Sequence, residues 1–138
     1  MTQYDKYIKE VSKKKIVVGE YVRLAVERHV RDLNRKDFHY YFDRDEADYV
    51  IAFIRSLKHT KGSYRGKLFD LQDYQAFGLA VTFGWKRKSD NMRRFNKVYW
   101  DTGRKSRKSE IVGAVQTFML NADGEGAPDI YCVETKRE

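Results

Sequence analysis

The chain has 138 residues, 41% hydrophobic and 14% aromatic, which fits one folded domain and excludes a disordered tail. A single cysteine, Cys132, excludes an internal disulfide, and the three histidines at 29, 39 and 59 lack the spacing of a zinc site. The formal charge of +8 sits in one segment: residues 86–109 hold ten Lys or Arg against Asp90 and Asp101, while the rest of the chain balances at 18 basic and 18 acidic residues.

Such a concentration suits a polyanion, either nucleotide phosphates or a nucleic-acid backbone, with a solubilising surface loop as the plain alternative. Met1-Thr2-Gln3-Tyr4-Asp5 is no signal peptide and no apolar run reaches membrane-spanning length, so a soluble, cytoplasmic protein with no membrane partner is expected. Cys132 lies in an apolar run and is expected to be a buried structural thiol.

Tyr4, Tyr7, Ile8 and Val11 are spaced for a short amphipathic helix. After Gly19, a stronger helix is expected, with Val22, Ala25, Val26, His29, Val30 and Leu33 on one stripe. His29 is read there as a packed, hydrogen-bonded side chain. The aromatic run Phe38-His39-Tyr40-Tyr41-Phe42 is read as packing between helices, with base stacking as the alternative. Asp43 followed by Glu46 opens a third helix that buries Ala47, Val50, Ile51, Ile54 and Leu57. The polar stretch 58–63 ends it.

Phe69 to Gln75 opens a fourth helix whose stripe is Tyr74, Phe77, Gly78, Val81 and Trp85. Residues 85–94 form a basic loop or hairpin. Val98, Trp100 and Thr102 alternate with Tyr99 and Asp101, the period of a strand. The run Gly103 to Ser109 breaks that period. Beyond it Ile111, Val112, Val115, Phe118, Met119 and Ala122 recur at helical spacing. A strand feeding a helix through a turn ending in Lys108-Ser109 is the layout of a phosphate-binding loop, whose helix N-terminus offers N–H groups and a positive dipole end to an anion. Counted back from Lys108, the usual pattern wants glycine at 102 and 107, where this chain has Thr102 and Arg107. A solvated basic helix start is the competing reading. Ile130 to Val133 is suited to a buried parallel strand, closing one βαβ unit after a region of helices alone.

From about Lys15 to the last residue, the order of these stretches resembles the N-terminal end of the ATPase domain of tailed-phage terminase large subunits, the DNA-packaging motors. The resemblance rests on Tyr21-Val22-Arg23-Leu24-Ala25-Val26-Glu27-Arg28-His29 with Arg31-Asp32-Leu33, and on Phe69 to Gln75. Gly84 to Lys88, Arg93-Arg94-Phe95 and Arg104 to Ser109 complete it. It implies an α/β chain: a helical N-terminal region (1–67), then the first strand–P-loop–helix–strand unit of a P-loop NTPase (68–138), truncated. It also implies ATP and magnesium as cofactors. Gln75 falls on the adenine-contacting glutamine. Lys105, Ser106, Lys108 and Ser109 fall on the phosphate loop, with Ser109 as the magnesium ligand. Arg104 falls on the loop arginine thought to assist γ-phosphate chemistry.

Double-stranded DNA, the small terminase and the portal are the implied partners in the host cytoplasm, with an oligomer possible in the complete motor. Lys86, Arg87, Lys88, Arg93 and Arg94 are the candidate DNA contacts. Arg107 departs from the family glycine, and its replacement by glycine is expected to improve nucleotide binding. The 138 residues end before the acidic strand end that holds magnesium and before the nuclease domain, so the chain alone is expected not to run as a motor. The alternative is a non-catalytic DNA- or packaging-protein-binding fragment that uses segment 86–109.

Overall fold

The computed structural model describes residues 1–60, 62–104 and 106–133. It is helix-rich, with one small antiparallel sheet. The order is α1 (Gln3–Ser12), α2 (Glu20–Leu33), β1 (Tyr40–Phe42), α3 (Arg44–Ser56), α4 (Asp73–Gly84), β2 (Trp85–Arg87) and α5 (Lys108–Asn121).

Local chemistry explains the helix starts. Thr2 Oγ1 accepts from Asp5 N and the Asp5 carboxylate accepts from Thr2 N, a reciprocal cap on α1. Asp43 Oδ1 accepts from Glu46 N at 3.1 Å and opens α3. At α4, Gln72 N donates to Gln75 Oε1 at 2.8 Å.

Helix α4 is the centre of the molecule. The expected stripe understates it, because Gln75, Ala76, Phe77, Leu79, Ala80, Val81, Phe83 and Gly84 are all buried. Helices α1 and α3 flank it, so both sides face protein, and a helix apolar all round is an interior one. Gln3 Nε2 ties α1 to the start of α4 by donating to Leu71 O and Asp73 Oδ1, each at 2.7 Å. Val50 and Ile54 of α3 and Phe118 of α5 complete a core that draws on residues before and after position 67.

The aromatic run at 38–42 packs between helices as expected, Phe42 meeting Tyr4 of α1 and His29 of α2 edge-on, but it does so from a strand. Tyr40–Phe42 is β1 and pairs with β2 in antiparallel register, Tyr40 opposite Arg87 and Phe42 opposite Trp85. Aromatic and branched residues favour a pleated, half-buried surface, and this pairing across more than forty residues has no local sequence signal. Gly84 sits where the pair meets α3: a Cβ there would lie 2.5 Å from Phe42 Cε2 and 3.1 Å from Ala47 Cβ. Gly84→Ala is therefore expected to cost about 2 kcal/mol, since the ring and α3 must both give way; the urea midpoint measures it.

Two expected strands do not form. Residues 98–102 carry no strand, among the described residues they make no ladder with another segment, and Tyr99 is 92% exposed. Residues 130–133 likewise carry no strand, with Tyr131 and Val133 almost fully exposed. A parallel pair needs partner strands and cover on both faces, and neither segment has these among the described residues. Cys132 is exposed rather than buried, for the same reason. The end of the expected last strand, 134–138, lies outside the described residues.

Candidate functional site

Helix α5 begins at the basic turn. Lys108 and Ser109 occupy its first turn, both exposed, and Arg107 is the residue just before it. Arg107 has φ 59° and ψ 29°, the left-handed conformation that glycine adopts without penalty and that costs a side chain roughly 1–2 kcal/mol. The helix has no side-chain cap, so its first N–H groups and dipole end are open to an anion.

The turn is closed by its own polar groups. Lys108 Nζ donates to Thr102 O at 2.8 Å, and the Thr102 and Ser106 hydroxyls lie 2.6 Å apart. Arg104 is exposed at the tip. Lys105 lies outside the described residues.

Gln75 reaches this turn from α4. It is 2% exposed, and its amide is fully engaged: Oε1 accepts from Gln72 N, while Nε2 donates to Ser106 O and to Tyr74 Oη, each at 3.2 Å. In this arrangement Gln75 joins the start of α4 to the 102–109 turn. Contact with a base would require Nε2 to exchange one of those partners.

Sequence reasoning missed two side chains that touch the start of α5. His59 Nδ1 lies 3.0 Å from Glu110 Oε2, and the Arg107 guanidinium sits 4.5 Å above the Tyr64 ring. Both come from the polar stretch after α3, where periodicity carries no information.

The five candidate DNA contacts divide. Lys86 Nζ meets Glu46 at 2.8 Å and Asp43 at 3.4 Å. Burial pulls its pKa down, but those two carboxylates outweigh it and hold the ammonium above the usual lysine value. Arg93 grips Asp123 at 2.5 and 2.7 Å. Arg94 lies 2.8 Å from the buried Asp32 and over the rings of Phe38, Tyr40, Trp85 and Phe95. Burial alone would raise the Asp32 carboxyl; Arg94 and then Arg31 bring it below the usual carboxylate range. Its Oδ2 makes that contact without an aligned hydrogen bond, so the pairing is ionic. Arg87 pairs only with the exposed Asp90, and Lys88 has no carboxylate within ion-pair distance among the described residues. Acids from α2, from the start of α3 and from just after α5 thus neutralise three of the five candidates.

A separate cleft of about 760 Å³ runs between α4, α5 and residues 86–100, over Leu79, Phe83, Ile111 and Val115, and no described residue of the 102–109 turn lines it. It is rimmed by the paired residues Lys86, Arg93 and Asp123.

Residues 73–138, which include α4, the basic hairpin, the 102–109 turn and α5, match the family model of the terminase large subunit, ATPase domain. This stretch belongs to the terminase large subunit. No curated protein and no solved structure matches the chain. The terminase segment opens on the first residue of α4, two positions before Gln75, so the helix that carries Gln75 and the turn that it holds belong to one family unit. No helix among the described residues is long and apolar enough to cross a membrane.

Proposed function

We propose that the chain binds ATP at the 102–109 turn, as the N-terminal part of an ATPase that drives viral DNA packaging. The observation that carries this reading is Lys108-Ser109 in the uncapped first turn of α5, within the terminase-matching segment and tied to Gln75 through Ser106 O. The phosphates would meet the α5 N–H groups and Lys108 Nζ, which leaves Thr102 O to do so. Ser109 Oγ would hold the accompanying magnesium. No group of three His, Cys, Asp or Glu side chains stands ready for a metal among the described residues, so the other ligands would be phosphate oxygens and water. Gln75 would serve the adenine end, and Arg104, free at the tip, the γ-phosphate.

Saturating MgATP should raise the unfolding midpoint, by mass action worth about 2.7 kcal/mol at a hundred times Kd. Lys108→Ala should weaken binding by about tenfold to a hundredfold, the worth of a charge-assisted hydrogen bond. Protection that persists undiminished in this variant would place the nucleotide elsewhere.

Arg107→Gly should change MgATP affinity by less than about threefold. The left-handed backbone is already in place, and the side chain rests on Tyr64 rather than in the turn. A much larger gain by calorimetry would mean that Arg107 crowds the phosphates after all.

A second reading concerns DNA, and Arg87 and Lys88 favour it. They line a shallow pocket with Phe38, His39 and Ser89, and Lys88 N donates to His39 O at 2.9 Å. Double-stranded DNA would lie against this tip, and the small terminase and portal would be the protein partners in the packaging assembly. Replacing Arg87 and Lys88 together by alanine should flatten the salt dependence of DNA affinity by about two phosphate contacts, roughly 0.9 each, and leave MgATP binding intact. Loss of ATP binding with DNA binding unchanged would assign the hairpin tip to the nucleotide.

A further inference from the structure

The stretch between α3 and α4 is a hairpin. Lys58 bridges Leu68 in antiparallel fashion, His59 N donates to Lys67 O, and Gly66 N returns to His59 O, both at 2.9 Å. A single 3₁₀ turn at Gly62–Tyr64 caps it. Its base is anchored in the core, where the His59 ring, 4% exposed, stacks on buried Phe69 with centroids 4.5 Å apart.

Two of its side chains straddle Lys108-Ser109. His59 holds Glu110 on the far side, and Tyr64 lies beneath the guanidinium of Arg107 on the near side. The first contact is buried on the histidine side, while the Glu110 side chain is 38% exposed. The second is open to solvent, since Tyr64 is 48% exposed, and it is the contact that decides where the long Arg107 side chain rests. An arginine immediately before the loop lysine would otherwise sweep the mouth of the cradle.

From this arrangement, and resting on the nucleotide-binding reading above, we propose that Tyr64 is a positioning residue for the phosphate loop. Its ring parks the Arg107 guanidinium at the side of the cradle, where the charge still attracts phosphate but does not occupy its place. The hairpin thereby supplies what glycine would otherwise provide at position 107: clear access to the turn.

The test is a double-mutant cycle on the intact chain, with MgATP titrated calorimetrically into the parent, Tyr64→Ala, Tyr64→Phe, Arg107→Gly and the Tyr64→Ala/Arg107→Gly pair. A solvent-exposed cation–π contact corresponds to about a two- to fivefold effect, so Tyr64→Ala should weaken binding by that factor. Tyr64→Phe, which keeps the ring, should bind as the parent does. In the Arg107→Gly background, Tyr64→Ala should have no effect. An equal loss in both backgrounds would overturn the proposal, because Tyr64 would then act on the nucleotide or the fold and not through Arg107. Amide hydrogen exchange of residues 102–109 without nucleotide gives an independent reading. It should quicken in Tyr64→Ala and stay unchanged in Tyr64→Phe, and unaltered exchange in Tyr64→Ala would refute the clasp. If the parent shows no saturable MgATP binding, the nucleotide reading fails, and the exchange result alone decides whether Tyr64 holds the turn.

Discussion

Arg94→Ala should destabilise the protein by about 3–5 kcal/mol and leave the salt dependence of DNA binding unchanged. Asp32 is 3% exposed on α2, and Arg94 is the cation that comes closest to it. Removing Arg94 leaves the buried Asp32 with Arg31 Nε at 3.2 Å as its remaining cation, so most of its compensation is lost, and that costs far more than the pair itself contributes. The guanidinium also covers four aromatic rings, so alanine loses packing as well as charge. Arg94→Lys should fall between the two, keeping the charge but losing the planar face. Urea unfolding of the three proteins gives the stabilities, and DNA titrations at several salt concentrations give the slopes. An unchanged urea midpoint with a shallower salt slope would return Arg94 to the DNA-contacting set.

The contrast with Arg87 and Lys88 explains what the charge distribution hides. Ten basic residues between 86 and 109 look like one surface when counted along the chain. Folding brings Asp32, Asp43, Glu46 and Asp123 onto them from three other elements, and none of those acids lies within the segment. Position in sequence shows where charge is concentrated; only packing shows which charges still face water. One partner was nevertheless open to inference. Asp32 follows His29 by three residues on the buried stripe of α2, and a carboxylate on an apolar face implies a buried cation.

Periodicity located the helices because helical spacing is a local property, but on α2 Val22 and Leu33 of the selected stripe are exposed while Val26 and His29 are buried. The buried residues Ala47, Val50, Ile51 and Ile54 of α3 are those that the pattern selects. On α5 the pattern selects Ile111 and Phe118, which are buried, but also Val112, which is half exposed, because α3 covers only part of that face. Strand pairing depends on a partner, and alternation at 98–102 describes a pleated segment without supplying one. The turn at 102–109 and the helix after it were legible through the break in period before Ile111, whereas the side chains that touch it, Tyr64 and His59, lie more than forty residues earlier in a stretch with no periodic signal.

Acidification should remove about 3 kcal/mol of stability between pH 6.5 and pH 4, and one residue accounts for it. His29 is buried among Phe42, Phe77 and Trp85, and its pKa is lowered to about 4, first by burial and next by the charge of Arg44. Trp85 Nε1 donates to His29 Nδ1 at 3.0 Å, so the neutral ring carries its proton on Nε2 and the charged form would set two donors against each other. Above pH 6.5 the ring is neutral in both states and contributes no pH dependence. As pH falls below 6.5 the unfolded chain takes up a proton that the native state refuses, so stability declines until the native ring titrates near 4. A difference of about 2.5 pH units corresponds to about 3 kcal/mol. Asp5 and Asp32, whose pKa values are lowered, lose their contributions only as pH falls through and below the ordinary carboxylate value of 3.8, beneath this window. His29→Gln keeps an acceptor for the indole N–H but cannot titrate. Its stability, whatever its level at pH 7, should therefore run nearly flat from pH 6.5 to 4 in urea titrations. If the variant keeps the parent's slope, the proton uptake belongs to another group, and His29 is only a packing residue.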